Sequence, residues 1–447
     1  MQQANNEQML QSLVSNIQAS GLKQKLIFTF IIIALFRFGA QLPIFGINNE
    51  VFQALAAGNN MIGFLDLFSG GALGKVSIFA LGIGPYITAS IIMQLLAVII
   101  PYLENLQKEE GEAGRRKIQQ LTRQFTVILA FFQSFVFVTI LSKLPGSIMH
   151  SVNPFMFFMG SMIALTAGAV MVMWLAELIT EKGIGNGGSL LIFVGIISGI
   201  PLYTQRTATL VSQDPRLQLG IMALLLIFVA TIIFIIILHD AIRKVPIVSA
   251  RRQVGNKVYG GQNSNIPFKL NPGGVMPIIF AVAILLFPAT ILGFVHQMNV
   301  SNPALKSILE SMNAFLSPSS ISYYVIYFLL IVALTFFYAS IIPNMQPKEI
   351  ANNLKKYGSA IPGVKPGKPT ADKLDEILSR LMFIGAIALG IIALIPTIAS
   401  KITNITTLQG LGATSLIIMV GVALDFINQI KTHMLAKNYE SFLKQEQ

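Results

Sequence analysis

Cysteine is absent from this chain. That excludes disulfides, thiolate metal sites and cysteine nucleophiles, and it leaves the compartment open. Charge is scarce: 11% of residues are Asp, Glu, Lys or Arg, against about 25% in an ordinary soluble domain. There are four histidines, His150, His239, His296 and His433, far apart in sequence and in or beside loops, so no metal site is expected from them. No glycine-rich phosphate loop followed by Lys-Ser/Thr is present. EKGIGNGGS (181–189) has the glycines, but it lies between two apolar runs rather than between a strand and a helix. Neither a nucleotide nor any other cofactor is therefore expected, and no catalytic dyad is visible. Within the apolar runs the ionisable residues are few, with Arg37 inside the first and Glu177 and Asp425 near the ends of theirs. Intramembrane carboxylates mark ion and proton pathways, so their scarcity at mid-depth argues against an ion-coupled carrier. The lack of a Ser/His pair or two Asp within spans argues against an intramembrane protease.

What the chain has in abundance is apolar sequence: 54% of its 447 residues are hydrophobic. A helix needs roughly 20 mainly apolar residues to cross a bilayer core about 30 Å thick. Ten stretches qualify as candidates: 25–42, 76–100, 124–142, 155–178, 189–204, 217–238, 274–295, 322–342, 380–399 and 411–429. Residues 1–24 are polar and amphipathic, without an apolar run ending in a cleavage site, so the first span is expected to start insertion itself. The net charge is +12, and its distribution carries more than its size. With the N-terminus in the cytoplasm, the inside segments hold 24 Lys and Arg and the outside loops hold 6 (Lys75, Lys143, Arg206, Arg216, Lys306, Lys401). This positive-inside bias gives an even number of spans with both termini cytoplasmic.

The expected divisions are a cytoplasmic N-terminus (1–24), a first half (25–206), a second half (207–431) and a cytoplasmic tail (432–447). Five spans per half puts the halves in opposite orientation, so a duplication would be an inverted repeat. Both halves have a disturbed second span, at Gly82–Pro85 in one and at Gly273, Gly274, Pro277 and Pro288 in the other. Loop 239–273 contains VPIVSA and NKVYGG, which read as the strands of a projecting hairpin. Loop 343–380, with IPGVKPGKPTADKL, reads as an exposed irregular arm. The stretch GFLDLFSGGALGKVS (63–77) is too short to span. It is either a half-helix entering the membrane, which requires burial in protein or a cavity, or a helix lying on the outer surface. IFALGIGPYITASIIMQLL (78–96) mixes Ile83 and Ile87 with Thr88, Ser90 and Gln94, a combination that ordinary helix packing against lipid does not explain.

Several stretches together resemble the SecY family of protein-conducting channels: LFSGGAL (67–73), SIFALGIGPYITASIIMQLL (77–96), EGEAGRRKI (110–118), TEKGIGNGGSLLIF (180–193), GGVMPIIFA (273–281), LLFPATI (285–291) and GATSLIIMVGVALDF (412–426). The resemblance implies an all-α polytopic membrane protein, with ten transmembrane helices in two inverted pseudo-symmetric halves and a short plug helix. It implies a channel for unfolded secretory polypeptides that also releases membrane helices laterally into lipid. The pore ring then falls on Ile83, Ile87, Gly188, Ile192, Ile279 and Ile418, with Gly188 departing from the bulky residue the family pattern favours. The plug covers Phe64–Leu73, including Leu67, Phe68, Ser69, Gly70 and Gly71. Thr88, Gln94 and Gln133 match polar positions of the lateral gate. Docking of the ribosome, through its RNA and proteins, and of the motor ATPase SecA falls on Arg251, Arg252, Lys355, Lys356 and Lys365. Lys365 stands where Arg is expected, which removes a bidentate donor. The resemblance also implies the small membrane subunits SecE and SecG, signal peptides, nascent chains and membrane lipids as partners, and no catalysis by this chain. Its setting would be the bacterial cytoplasmic membrane or the plastid thylakoid. The runner-up reading is an inverted-repeat secondary transporter, which would need a substrate-shaped polar pocket.

Because the chain has no cysteine, single cysteines test the topology directly. Cysteine at position 257 or 356 is expected to be unreactive to an impermeant reagent outside intact cells and reactive after lysis; labelling from outside would overturn the orientation.

Overall fold

The computed structural model describes residues 21–48, 66, 69–108, 111–143, 146–149, 152–213, 217–249, 252–254, 257–259, 263–297, 307, 311–312, 314–315, 320–341, 346–403 and 413–445. The chain forms helices α1 (Leu22–Gly39), α2 (Gly84–Ile99), α3 (Pro101–Lys108), α4 (Gly111–Lys143), α5 (Pro154–Lys182), α6 (Gly187–Gln213) and α7 (Leu217–Asp240). Strands β1 (Ile242–Ser249), β2 (Arg252–Val254), β3 (Lys257–Tyr259) and β4 (Asn263–Lys269) follow. Then come α8 (Met276–Gln297), α9 (Ile321–Ile341), α10 (Pro347–Lys356), β5 (Ser359–Ala360), α11 (Lys368–Ile402) and α12 (Ala413–Gln445).

Helices α4, α5, α6, α7, α9, α11 and α12 are long and apolar enough to cross a membrane, and α2 and Met276–Leu285 of α8 are shorter apolar helices. With α1, which carries Lys23, Lys25 and Arg37, these are the ten expected spans in order, and the chain is a multi-pass membrane protein. Apolar side chains face outward as well as inward: α7 exposes Leu219, Met222, Leu226, Val229, Phe234 and Ile237, as a lipid-facing surface must. Several helices overrun the expected bounds. The 33 residues of α4 reach about 50 Å at roughly 1.5 Å per residue, beyond the hydrocarbon core. Its polar first turns, the start of α11 and the end of α12 continue as helix because water satisfies their outer faces. The expected tail at 432–447 is thus helical through Gln445.

The inverted repeat is visible in the packing. In the first half α2 packs on α4, α4 on α5, α5 on α6, and α1 on both α5 and α6. The second half repeats each pair: α8 on α9, α9 on α11, α11 on α12, and α7 on both α11 and α12. The halves meet along two lines. On one side α8 touches α2 and α4; on the other α12 touches α6 and α1, and α7 touches α6.

The two large basic loops fold together, which corrects two expectations. Val245–Ser249 of VPIVSA lie in β1, whose long partner is β4 rather than NKVYGG, with Val245 opposite Ile266 and Arg243 opposite Phe268. NKVYGG contributes β3, which pairs with β2 in a small hairpin beyond that ladder. Loop 343–380 is not an irregular arm. It supplies α10 and β5, and β5 pairs with β1 to give the sheet order β4-β1-β5. Val245, Phe268, Leu354, Ile361, Leu374 and Leu378 form a separate apolar core beneath that sheet. Proline and glycine spacing misled here because β1 skips the nearer hairpin to pair with β4, and the partner that orders 343–380 lies about 110 residues earlier in the chain, Val248 opposite Ala360.

Leu374 is fully buried in this core. Leu374→Ala is expected to destabilise the platform by about 2–5 kcal/mol and to speed tryptic cleavage between residues 242 and 269 by at least roughly tenfold in the purified protein. Tyr357→Ala, at a side chain 82% exposed, serves as the control. Unchanged cleavage of Leu374→Ala would show that the arms do not support each other.

Candidate functional site

The seam between the halves begins at two equivalent turns. Gly82-Ile83-Gly84-Pro85 leads into α2 and Gly274-Val275-Met276-Pro277 leads into α8. Each opens on a glycine in the left-handed region, φ 55° at Gly82 and 56° at Gly274. Each helix then carries proline in its first turn, where a missing N–H costs no hydrogen bond. The second span therefore starts at Gly84 rather than 76. Residues 76–78 are held out of the helix by pairing with 42–44: Ile44 N donates to Val76 O at 3.0 Å and Ile78 N to Leu42 O at 3.0 Å. Gly168 of α5 lets this irregular stretch approach, since a Cβ there would collide with the Ile78 carbonyl oxygen.

These turns bring apolar side chains of both halves together. Ile83, Ile192 of α6, Ile279 of α8 and Ile418 of α12 lie in one buried cluster, with Ile87 packed against it. Their exposures are 2%, 1%, 3% and 0% for the first four. Val275, which corresponds to Ile83 in the repeat, joins the same cluster. Gly188 adjoins the cluster, because a Cβ on it would sit 3.4 Å from Ile83 Cδ1. One weak polar link crosses the seam: Ser189 Oγ of α6 donates to Met276 Sδ of α8 at 4.0 Å.

At one end of the seam lies the segment 66–74. Gly71 N donates to Asp66 O at 2.9 Å and Gly70 has φ 70°, the signature of a helix closed by a Schellman turn. The half-helix therefore ends at Ser69, and Gly70–Leu73 are turns, which shortens the expected Phe64–Leu73 helix. Phe64, Leu67 and Phe68 lie outside the described residues. Asp66 Oδ1 accepts from Gly74 N at 2.7 Å and Ser69 Oγ accepts from Leu73 N at 2.9 Å. Ser69, Ala72 and Leu73 are buried. Arg37 of α1 donates from Nη1 to Gly70 O at 2.6 Å and to Ser198 Oγ of α6 at 2.9 Å.

The two other ionisable residues of the apolar runs are paired. Glu177 Oε1 of α5 accepts from Arg123 Nε at 2.8 Å and from Gln119 Nε2 at 3.1 Å, both on α4. Asp425 Oδ1 of α12 lies 3.4 Å from His239 Nε2 of α7. The Glu177 contacts clamp α4 to α5, and the approach of His239 to Asp425, which lacks hydrogen-bond geometry, brings α7 and α12 together in the other half.

The family model for SecY matches residues 77–427. The chain belongs to the SecY family. It is 46% identical over 438 residues to the protein translocase subunit SecY of Synechococcus elongatus, covering 96% of this chain and 95% of that one. It is 44% identical over 434 residues to that of Pyropia yezoensis, covering 96% and 100%. Among solved structures, a protein-conducting channel superposes with TM-score 0.67 at 19% identity, covering 92% of each chain. Sec61 in the canine ribosome–channel complex from the endoplasmic reticulum superposes with TM-score 0.60 at 18% identity, again covering 92% of each. Both likenesses concern the fold.

Of the remaining SecY-pattern residues, Thr88 and Gln94 lie on α2 and bond within it, Thr88 Oγ1 donating to Gly84 O at 3.0 Å and Gln94 Nε2 to Ser90 Oγ at 3.1 Å. Gln133 is half-buried on α4, and α8 packs against both helices. Arg251 lies outside the described residues, and Arg252 is placed on β2 by its backbone. Lys355 and Lys356 end α10, where cations suit the helix dipole, and both are exposed, as is Lys365 after β5. Lys373 and Arg380 flank Glu376 at 2.9 and 2.6 Å. The hydrogen bond from Lys373, then the charges of Lys373 and Arg380, hold the Glu376 carboxyl below its ordinary range. These two cations are thus neutralised locally, whereas among the described residues no carboxylate pairs with Lys355, Lys356 or Lys365. The family pattern misses Val275 and the Arg37–Gly70–Ser198 contact. The spacing of Val275 before Pro277 matches that of Ile83 before Pro85 and was legible. Arg37 was visible as a cation in an apolar run, but its partners were not.

Proposed function

We infer that this SecY-family chain is the channel-forming subunit of a protein translocase. Unfolded polypeptides pass between its two halves, and apolar segments leave sideways between α2 and α4 on one half and α8 and α9 on the other. One observation carries this reading: isoleucines from α2, α6, α8 and α12, drawn from both halves, meet in a single buried apolar cluster. Such a ring offers no specific contact to a passing chain, so it accepts any sequence, and when closed it stays dry and limits ion flow. A transporter would instead need converging polar groups at that depth.

Ile83, Ile87, Gly188, Ile192, Ile279 and Ile418 are assigned to the constriction, and 64–73 to its plug. Thr88, Gln94 and Gln133 are assigned to the lateral gate, where signal peptides and lipids compete. SecA and the ribosome supply the energy, and the chain itself does no chemistry. They dock on the basic platform, whose exposed Arg243, Lys244, Lys355, Lys356 and Lys365 attract acidic surfaces and RNA phosphate over distance. That face is cytoplasmic or stromal under the positive-inside bias, in a bacterial cytoplasmic or thylakoid membrane. SecE and SecG are the expected small membrane partners, consistent with the apolar faces that α7 presents outward.

The pore assignment is tested by Ile83→Asn, Ile279→Asn and Ile418→Asn. An unpaired buried amide costs about 1–3 kcal/mol, so the closed state loses roughly a factor of ten in its favour. Each variant is expected to raise ion conductance in reconstituted bilayers and to pass substrates with defective signal sequences. Gly188→Ile should act in the opposite direction. Ile232→Asn on α7, outside the cluster, is the control, and ring variants that match it in both readouts would remove the constriction.

Docking is tested separately. Reversing Arg251, Arg252 and Lys365 to Glu should weaken binding of ribosome and SecA, with the residual affinity falling further as salt rises. Unchanged binding of both partners would take these residues out of the interface.

A further inference from the structure

We propose that Arg37 is the latch of the plug: its guanidinium holds the Gly70 carbonyl against α6 and thereby sets how stringently the channel requires a signal sequence. This rests on the reading of 64–73 as the plug. The geometry is that of a built contact rather than a chance one. Arg37 occupies the last turn of α1, where a cation meets the unsatisfied carbonyls of the helix end. Its Nη1 donates at 2.6 Å to Gly70 O and at 2.9 Å to Ser198 Oγ. Ser198 Oγ in turn donates to Gly195 O at 2.7 Å, within its own helix. The guanidinium is therefore held at a fixed place on α6 whether or not the plug is seated.

The plug end is shaped to reach it. The Schellman turn at Asp66–Gly71 turns the chain out of the helix at Gly70, so the carbonyl there serves no helical hydrogen bond. A Cβ on Gly70 would stand 3.0 Å from the Gly195 Cα, so backbone lies against backbone, and the φ of 70° at Gly70 disfavours any side chain on the same grounds. Asp66 and Ser69 bind Gly74 and Leu73, so these bonds travel with the segment when it moves. Its far end is hinged to the α1–α2 backbone, Ser77 N donating to Ala72 O and Val76 N to Leu73 O, each at 2.9 Å. Its near end is tied to the spans through Gly70 O, which receives Arg37 Nη1 and, at 3.4 Å, Ser198 Oγ. A single charge-assisted bond in a water-poor site is strong enough to hold a small plug and weak enough for an inserting signal sequence to break.

The chain's lack of cysteine supplies a direct reporter. Ala72 is fully buried in the seated segment, so Ala72→Cys reacts with a thiol reagent only when the plug leaves. In the reconstituted translocase complex, Arg37→Gln is expected to raise the labelling rate of this cysteine and the resting ion conductance by roughly tenfold, the size of one hydrogen bond to a charged group. Arg37→Lys, which keeps a cationic donor, should remain within about threefold of the parent, and Ser198→Ala should raise labelling by about two- to threefold. Deleting 64–73 should raise conductance by itself, and adding Arg37→Gln to that deletion should change nothing further. If the deletion raises conductance while Arg37→Gln and Ser198→Ala leave both readouts unchanged, the latch is wrong and the plug reading stands. If Arg37→Gln raises conductance equally in the deleted background, its effect does not pass through the plug and the latch is overturned. If the deletion leaves conductance at the parental level, the plug reading fails, and the latch with it. Should Arg37→Gln not assemble, the labelling rates of Arg37→Lys and Ser198→Ala decide, with no rise in Ser198→Ala counting against the latch.

Discussion

A backbone that leaves the helix at membrane depth has to find partners for its amides and carbonyls, because hydrocarbon offers none. The described residues between α1 and α2 meet this demand in three places. Residues 76–78 borrow the backbone of 42–44, Asp66 and Ser69 close the turn behind Gly70, and Arg37 takes the carbonyl that remains. The late start of α2 follows, and with it the placement of Ile83 in the seam rather than in the second turn of a longer helix. The repeat imposes the same solution on α8 through Gly274 and Pro277, with Asn271 Nδ2 donating to Gly274 O at 2.8 Å.

The seam that results is held differently from a soluble core. Between helices in lipid there is no hydrophobic drive, because the tails are as apolar as isoleucine. Close packing of Ile83, Ile192, Ile279 and Ile418 draws the halves together. The Arg123–Glu177 ion pair and the closer approach of His239 to Asp425 both lie within a half. Such an arrangement favours halves that move as units and separate along the apolar line, which is the mechanical requirement for admitting a chain of arbitrary sequence.

Charge is distributed in keeping with that division of labour. It is sparse and paired among the spans, and dense on the platform built from β1, β4, β5, α10 and the start of α11. The platform has its own apolar core, so it joins α7, α8, α9 and α11 as folded structure and not as a slack loop. Exposed lysines on a rigid support lose less freedom on binding than they would on a mobile arm.

The sequence by itself determined the class, the ten spans and the pairing of odd halves, because long apolar runs and the side on which Lys and Arg accumulate depend only on local composition. It also marked the turns before α2 and α8, since glycine and proline constrain the backbone where they stand. What it left undecided depends on contacts between distant segments. The folding of 343–380 onto the β1–β4 sheet turns on partners about 110 residues apart in the chain, Val248 opposite Ala360. The same holds for Arg37: a cation in an apolar run announces that something must receive it. Only the tertiary structure decided that the receiver is the Gly70 carbonyl, because that choice depends on α6 carrying Gly195 and Ser198 to the same point from about 160 residues away.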